Sequence, residues 1–323
     1  MRAIVISGSG GISLEEIPSA EPGPGEALID ILMAGICGTD LNLARGYMGF
    51  TGVPGHEFVG TVRKTRSTAD RLLVGARVTG EINLGCQDCP VCADGMSRHC
   101  PNRRVLGILG KQGAFAGQLT LPVSNLHVVP DTISDRQAVF VEPVAAAFEI
   151  LDQIEVAPGQ TTLVIGDGRL GLIVAQVLSS RGALVTVAGH HESKLAVGRA
   201  LGLTGALMDD LPARERFDIV VEATGSPAAL DQALARVRPR GKVVLKSTCV
   251  GATTVDASRI VIDEVTIVGS RCGSFPPAIR ALGEGSVVVE PLITGEMSLD
   301  SGVEAFARAA QGGTIKILLR VAA

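Results

Sequence analysis

The amino-acid sequence predicts an α/β protein of two domains, one rich in β-strands and one built on a doubly wound parallel sheet. Up to about residue 135, short runs rich in Ile, Val and Leu alternate with Gly and Pro clusters such as EPGPGE at 21–26. That pattern is typical of strands joined by turns. From Thr161 onward, short apolar strands alternate with segments of helix length, which predicts parallel strands joined by crossover helices.

The predicted elements follow in chain order. In the first part we expect strands at 3–7, 26–34, 58–63 and 77–81, and no long stretch of helical periodicity appears before about residue 135. The second part is predicted to contain strands at 161–166, 183–189, 217–225, near 242–247 and near 265–270, with helices at 170–182, about 192–201 and 227–237. A final strand is predicted at 314–321.

The composition is typical of a folded, soluble protein. The chain has 323 residues, of which 46% are hydrophobic and 19% charged, and its net charge is −4. That charge, with 3% aromatic residues and no Trp, argues against a nucleic-acid-binding surface. Residues 1–11 lack a signal-peptide pattern, and no apolar run has the length of a membrane span. We therefore expect a cytoplasmic protein that binds neither nucleic acid nor membrane.

Four of the seven cysteines, Cys86, Cys89, Cys92 and Cys100, lie within fifteen residues. In a reducing cytosol, clustered thiols bind metal more often than they form disulfides. Short Cys-x2-Cys steps can present thiolates to a tetrahedral zinc ion on one tight turn. Disulfide pairing is the weaker alternative. We predict a structural zinc ion whose four sulfur ligands leave no position for a substrate.

The segment VIGDGRLG places Gly166, Gly168 and Gly171 in a Gly-x-Gly-x-x-Gly pattern between a predicted strand and a predicted helix. In a dinucleotide-binding fold these glycines allow a tight turn, close approach of the backbone to a pyrophosphate, and close packing of helix on strand. The helix N-terminus offers N–H groups and a positive dipole to the phosphates. We predict that this loop, including Leu170, binds a dinucleotide; a glycine turn without a ligand is the alternative.

Two upstream motifs hold further candidate metal ligands, Cys37 in AGICGTDLN and His56 with Glu57 in VPGHEFVG. Taken singly, Cys37 reads as an inert buried thiol. His56 and Glu57 read as a turn histidine and a surface acid. A thiolate, an imidazole and a carboxylate in a chain that also has a cysteine cluster and a dinucleotide loop favour a second metal site.

Together with the Glu142–Pro143 pair, these motifs occur in the order CGTD, GHE, four cysteines, EP and glycine loop. Over nearly its whole length the chain resembles the zinc-containing medium-chain alcohol dehydrogenase family, and the branch of polyol and threonine dehydrogenases looks nearest. The resemblance implies a GroES-like catalytic domain at 1–143 and 272–323, with a zinc lobe at about 83–103. It also implies a Rossmann cofactor domain at 144–271 and a homodimer or homotetramer.

The resemblance makes Cys37 and His56 ligands of a catalytic zinc ion. The third ligand is either Glu142, which stands where the family has a second cysteine, or Glu57, which would neighbour the metal and exchange in and out of its shell. Asp40 either holds the His56 imidazole in the required tautomer or caps a helix.

The reaction that the resemblance implies is hydride transfer between a secondary alcohol or polyol, or the matching ketone, and a nicotinamide cofactor. The zinc ion lowers the pKa of the alcohol. Thr39 matches the hydroxyl that relays the released proton, but Asn42 stands where several relatives have a titratable histidine, so the full relay is in doubt. Lys316 matches a basic residue that pairs with the cofactor pyrophosphate, and a solvated surface lysine is the alternative.

The choice of cofactor is predicted at the end of the second strand of the dinucleotide fold. In NAD-binding proteins a carboxylate at that position binds the ribose hydroxyls, but here the position is Gly189, followed by His190 and His191. A glycine leaves room for a 2′-phosphate, and the two imidazoles and Lys194 can bind it, although Glu192 partly offsets them. We predict a preference for NADP over NAD; a loop that accepts either cofactor is the alternative.

Two other functions remain open. A zinc-free NADPH reductase of the quinone-reductase type would have no use for Cys37, His56 or the cysteine cluster. A non-catalytic dinucleotide-binding protein would hold only the structural zinc. We expect a partly apolar substrate cleft lined by Tyr47, Met48, Phe50, Leu109 and Phe115. The alternative is that these residues pack in the core.

Overall fold

The structure is a computed structural model that describes residues 1–8, 11–67, 70–248 and 253–321. The chain forms two compact units. The first comprises Met1–Glu142 and Ile293–Ala323, and the second comprises Pro143–Leu292.

The first unit is mainly β-structure. Its strands before the unit boundary are β1 (Arg2–Ile6), β2 (Ile12–Glu16), β3 (Glu26–Gly35), β4 (Phe58–Thr65), β5 (Arg77–Gly80), β6 (Asn83–Leu84), β7 (Arg104–Leu106), β8 (Gly110–Lys111), β9 (Gln118–Pro122) and β10 (Leu126–Val128). Its helices there are α1 (Gly38–Ala44), α2 (Pro90–Ala93) and α3 (Asp135–Ala138). The four strands predicted in this part are present as β1, β3, β4 and β5.

A short helix does precede residue 135, since α1 begins at Gly38. Cys37 and Asp40 form a capping box at its start, in which the Cys37 backbone N–H donates to the Asp40 carboxylate at 2.7 Å. A helix of seven residues is too short to show the periodicity that identifies helices in a sequence.

The second unit alternates helices and strands. Its elements are α4 (Val141–Gln153), which begins at the boundary, then β11 (Thr161–Ile165), α5 (Arg169–Ser179), β12 (Leu184–Gly189), α6 (Glu192–Ala200), β13 (Thr204–Leu207), β14 (Phe217–Glu222), α7 (Ala229–Arg236), β15 (Val237–Leu245), α8 (Ala257–Ile262), β16 (Thr266–Gly269) and α9 (Phe275–Gly283). The chain then returns to the first unit with β17 (Ile293–Ser298), α10 (Gly302–Ala309) and β18 (Lys316–Arg320).

The sheet of the second unit confirms the predicted doubly wound fold. In the described residues its strands lie in the order β13-β12-β11-β14-β15-β16, and every pairing is parallel. The strand order reverses between β11 and β14, and folds of this kind bind nucleotides at the carboxyl ends of the strands beside such a reversal. The glycine loop leaves β11 at that edge.

The main sheet of the first unit has the order β10-β5-β4-β3-β18-β17, with β9 also paired to β3. Strand β3 is its centre, and Ala34 near its end lies opposite Phe58 of β4 and Leu319 of β18. The end of β3 and the start of β4 therefore meet, and the antiparallel β18 begins just beyond the end of β3, where the Ile36 N–H donates to the Ile317 carbonyl at 3.0 Å. The candidate metal ligands that follow β3 and precede β4 are brought together by this register.

The return to the first unit comes at Ile293 and not at residue 272, which corrects the predicted boundary. The intervening segment packs on helices of the second unit. Gly273 lies so close to α4 that a Cβ there would be 1.9 Å from the Ala145 carbonyl oxygen. The Gln176 side chain on α5 also bonds both the N–H and the carbonyl of Val288, at 2.8 and 3.1 Å. Among the described residues, no helix has the length and apolar character needed to cross a membrane.

Candidate active site and metal centres

The four clustered cysteines converge in the lobe between β6 and β7. Their Sγ atoms all lie within 4.8 Å of one another, with 3.5 Å between Cys86 and Cys100 and 3.8 Å between Cys89 and Cys100. Four thiolates about 2.3 Å from a zinc ion would have sulfur–sulfur separations of about 3.8 Å, whereas a disulfide bond is about 2.05 Å long. The geometry fits the predicted zinc site. Gly85 contributes space, since a Cβ there would lie 2.9 Å from the Cys92 sulfur.

The thiols of this lobe differ in acidity before a metal binds. A hydrogen bond with the Asp88 side chain is the main cause that raises the pKa of Cys86 to about 12. The backbone N–H of Cys86 donates to the Cys100 sulfur at 3.5 Å and is the main cause that lowers the pKa of Cys100 to about 7. Because zinc binds thiolates, loading this lobe must release protons, and its zinc affinity must rise with pH.

A second cluster contains Cys37, His56 and Glu57, whose ligand atoms also lie within 4.8 Å of one another. Cys37 precedes α1 and is half-buried, while His56 and Glu57 are 3% and 0% exposed and precede β4. The turn before them depends on Gly55, whose φ is +99° and whose Cβ would lie 2.5 Å from the Phe115 ring. A soft thiolate, an imidazole and a carboxylate are the ligand types that zinc takes in proteins, so the donor set fits this metal.

Asp40 lies beneath this cluster and is fully buried. Its carboxylate accepts the N–H groups of Cys37 at 2.7 Å and Gly55 at 3.2 Å, and it lies 3.4 Å from His56 Nδ1. Burial by itself would lower the pKa of His56, but the charges of Asp40 and Cys37 outweigh it and raise that pKa well above its usual value. The geometry combines the two roles considered for Asp40, since it caps α1 and also faces the imidazole.

The cluster has a charged partner that the sequence analysis did not identify. The Lys316 ammonium at the start of β18 pairs with the Glu57 carboxylate, and both side chains are 0% exposed. Lys316 is therefore not a solvated surface lysine, and its pairing with a cofactor pyrophosphate stays a prediction. The signal available in the sequence was the apolar run around it, TIKILL, which is typical of a strand buried on both faces.

Two other predicted residues lie near these elements. Thr39 is on the first turn of α1 and is partly exposed. Glu142, the other candidate third ligand, is half-buried in the first turn of α4. Among the described residues, the group of ligand atoms around Cys37 and His56 includes Glu57 and does not include Glu142.

The three glycines of the dinucleotide loop have three different surroundings. Gly166 has a φ of +127°, and a Cβ there would lie 2.8 Å from the Ala223 carbonyl oxygen. Gly171 lies so close to the loop that its Cβ would be 2.0 Å from the Gly166 oxygen. Gly168 is the N-cap of α5, and a Cβ there would meet no described atom within 4 Å. A tight turn, close packing and an open approach to the helix N-terminus are what pyrophosphate binding requires.

The space beside Gly189 is not open, which corrects the prediction that this glycine leaves room for a 2′-phosphate. A Cβ at Gly189 would lie 2.3 Å from the Asp167 carboxylate oxygen and 2.4 Å from the Asp167 Cβ. Asp167 lies in the glycine loop and is 7% exposed. No acid ends β12, as the sequence shows, but a carboxylate from another segment occupies that position. His190 and His191 follow it and are exposed, and Lys194 is partly exposed on α6.

Residues 23–131 match the family described as "Alcohol dehydrogenase GroES-like domain", and residues 170–284 match the family described as "Zinc-binding dehydrogenase". The L-threonine 3-dehydrogenase of Streptomyces coelicolor is 33% identical over 96% of each chain. The chain belongs to the zinc-containing medium-chain alcohol dehydrogenase family. The sorbitol dehydrogenase of Halalkalibacterium halodurans is 27% identical to this dehydrogenase over 99% of each chain.

Solved structures resemble the dehydrogenase over its full length. A zinc-binding dehydrogenase of Sinorhizobium meliloti 1021 bound to NADP matches with a TM-score of 0.91 at 26% identity, over 99% of each chain. RspB of Escherichia coli CFT073 in complex with NADH matches with the same score, identity and coverage. The protein is therefore an oxidoreductase, a zinc- and nicotinamide-dependent dehydrogenase of small alcohols or polyols and the matching ketones.

Three of the residues predicted to line a substrate cleft border a surface recess of the dehydrogenase. The recess has a volume of about 360 Å³ and is lined by residues 48–51 and 108–112, which include Met48, Phe50 and Leu109. Phe115 is instead a core residue that is 0% exposed and packs edge-on against Phe306, with ring centroids 5.8 Å apart.

Proposed function

We propose that the dehydrogenase interconverts the secondary hydroxyl of a small polyol-like alcohol with the matching ketone, with two zinc ions per chain and NADP preferred over NAD. The buried cluster of Cys37, His56 and Glu57 carries this proposal. Three protein ligands leave a tetrahedral metal one position for a substrate, which the four-cysteine lobe cannot provide. The names of two similar proteins, an L-threonine 3-dehydrogenase and a sorbitol dehydrogenase, support the substrate class.

The residues around the cluster have distinct roles in this proposal. Zinc held there would supply a Lewis acid that polarises the alcohol oxygen and makes its proton easier to remove. Asp40 fixes the His56 ring, and the Thr39 hydroxyl receives the proton on its way to solvent. Lys316 compensates the charge of Glu57. The loop at Gly166, Gly168, Leu170 and Gly171 holds the cofactor.

The third ligand is to be decided between Glu57 and Glu142. Glu57 lies in the cluster, but its ion pair with Lys316 competes with the metal for the carboxylate. If Glu142 completes the site, Glu142→Ala depletes the catalytic zinc and abolishes turnover, whereas Glu57→Ala retains most of the metal and slows ligand exchange. The opposite ranking of zinc content assigns the ligand to Glu57.

The preference for NADP is supported by the absence of an acid on β12 and by His190, His191 and Lys194 after it. The ratio of kcat/KM for NADP and NAD on one substrate tests it. A tenfold preference for NAD, about 1.4 kcal/mol, would reject it. Lys194→Ala is a better probe than a substitution at Gly189, where a new side chain meets Asp167, and we expect it to lower the ratio.

Metal analysis separates the proposed function from the alternatives. Two zinc ions per chain support it, one supports a non-catalytic dinucleotide-binding protein, and none supports a zinc-free reductase. A panel of alcohols, polyols and β-hydroxy acids with both cofactors then identifies the substrate. We also propose a cytoplasmic homodimer or homotetramer, which cell fractionation and light scattering test.

A further inference from the structure

Asp167 stands between Gly166 and Gly168 of the glycine loop, and its side chain makes several contacts with the residues that follow β12. One of its carboxylate oxygens accepts the backbone N–H groups of His190 at 2.8 Å and His191 at 2.7 Å, and lies 3.0 Å from Nδ1 of the His191 ring. The Asp167 side chain is 9% exposed, whereas the His191 side chain is 47% exposed. The buried Asp167 carboxylate thus holds the Nδ1 side of the His191 ring, and the rest of that ring is accessible to solvent and ligands.

This contact decides which nitrogen carries a proton in the neutral ring. An ionised carboxylate only accepts hydrogen bonds, so Nδ1 of His191 donates to Asp167. The neutral ring then offers a bare Nε2, which accepts a hydrogen bond, whereas the protonated ring offers an Nε2–H, which donates one. A phosphate dianion can only accept, so it requires the Nε2–H of the protonated ring, whereas a hydroxyl can donate to the neutral ring or accept from the protonated one.

The pair lies where the adenosine ribose of a dinucleotide binds in this fold, at the carboxyl end of β12 beside the glycine loop. An isolated carboxylate would repel a 2′-phosphate there. Asp167 is instead bonded to two backbone N–H groups and one imidazole, so its charge is largely compensated when the ring is protonated.

We propose that Asp167 is a positioning residue for cofactor selection, and that it holds His191 so that Nε2 binds the 2′-phosphate of NADP when the ring is protonated and the 2′-hydroxyl of NAD when it is neutral. This inference rests on the proposed function. It makes the preference for NADP over NAD increase as the pH falls.

Other charges surround the pair. Helix α6 carries Lys194 and the ion pair of Glu192 with Arg199. Strand β13 pairs with β12, with Leu207 opposite Gly189, and Asp209 and Asp210 follow it. His190 precedes His191. Imidazole is the side-chain type whose charge can change near neutral pH, so the other histidine, His190, is the control that matters.

The test measures the affinities of the zinc-loaded enzyme for NADPH and NADH, by cofactor fluorescence, from about pH 5.5 to 8.5. The wild type is compared with His191→Gln, Asp167→Asn and His190→Gln. We expect the ratio of NADPH to NADH affinity in the wild type to fall about tenfold over this range, the effect of one charge-assisted hydrogen bond. His191→Gln removes the part of this fall that the His191 ring contributes, and His190→Gln retains it. Asp167→Asn flattens it, because an amide can donate to Nδ1 and leave Nε2 protonated in the neutral ring.

The 2′-phosphate also titrates near pH 6, but its contribution persists in His191→Gln and is subtracted by that variant. If Asp167→Asn raises the ratio equally at every pH and keeps the slope, Asp167 merely repels phosphate and the inference is wrong. A wild type without a slope beyond that of His191→Gln also overturns it. Because the His191 side chain is half-exposed, His191→Gln should fold, and it tests the inference even if Asp167→Asn does not fold. A wild type that favours NADH at every pH but shows the slope rejects the proposed NADP preference and leaves this inference standing.

Discussion

At the scale of single residues, the buried ion pair of Lys316 with Glu57 depends on close packing around the lysine. The ammonium also donates to the Ile36 carbonyl at 3.2 Å and lies 5.7 Å from the centre of the Phe140 ring. Gly35 makes room for it, since a Cβ there would lie 2.4 Å from the lysine Cε and Nζ. Burying two charges is favourable only when each compensates the other, so the loss of one leaves the other strongly destabilising.

Lys316→Met should therefore destabilise the protein by about 3–5 kcal/mol, because it leaves the Glu57 carboxylate buried without its cation. Urea unfolding of the zinc-loaded protein measures this change. The double variant Lys316→Met/Glu57→Gln should recover a large part of the loss, since it removes both charges. Equal stability of the single variant and the wild type would show that the pair contributes nothing.

Which residues of the site were predictable depended on how far apart the partners are in the chain. Cys37, His56 and the four clustered cysteines stand in short motifs whose chemistry is local. The partners Glu57 and Lys316 are separated by 259 positions, and Asp167 and His191 by 24. Such contacts are set by strand register and by the strand order of a sheet, which motifs do not encode.

At the scale of elements, the glycine loop and the N-terminus of α5 together form the site that is proposed to bind the cofactor through N–H groups. Some glycines of the loop are required for folding, and others are required for binding. Gly171 is needed by the fold itself, because its Cβ would lie 2.0 Å from the Gly166 oxygen, whereas Gly168 faces open space.

Gly168→Ala should therefore leave the melting temperature without cofactor nearly unchanged and weaken cofactor binding at least tenfold, about 1.4 kcal/mol. The matched variant Gly171→Ala should lower the melting temperature even without cofactor. Thermal unfolding and cofactor titration of both variants check this. A Gly168→Ala protein with normal cofactor affinity would contradict pyrophosphate binding at this loop.

The cysteine lobe is the element that the proposed structural zinc ion would stabilise. Cys86→Ser should lower both zinc content and stability, by several kcal/mol of metal-linked folding free energy. The protein that still folds should retain its catalytic chemistry, because the Cys37 cluster is separate. Cys272→Ser, outside both clusters, is the control with the same chemical change. Unchanged zinc content and melting temperature in Cys86→Ser would refute the structural site.

At the scale of the whole molecule, both metal clusters belong to the first unit and the glycine loop belongs to the second. The alternation of strands and helices predicted the second unit because each period is visible in a short window of sequence. The boundary at Ile293 was not predictable in this way. Residues 273–292 include the amphipathic helix α9, but its period does not show which unit its apolar face packs on; that is decided by the packing of the segment against α4 and α5.

This division predicts that metal removal and cofactor binding act on different parts of the chain. Chelation of zinc should speed amide hydrogen exchange mainly in 1–142 and 293–321. NADPH at about 100 times its dissociation constant should slow exchange in 143–292, by up to about 2.7 kcal/mol of added stability.

Helix α9 is the decisive segment, because the sequence assigned it to the first unit and the structure assigns it to the second. Its peptides should respond to NADPH in the wild type, and not in Gly168→Ala if that variant no longer binds cofactor. If they respond to chelation and not to NADPH, α9 is coupled to the metal-binding unit and the boundary at residue 272 is restored.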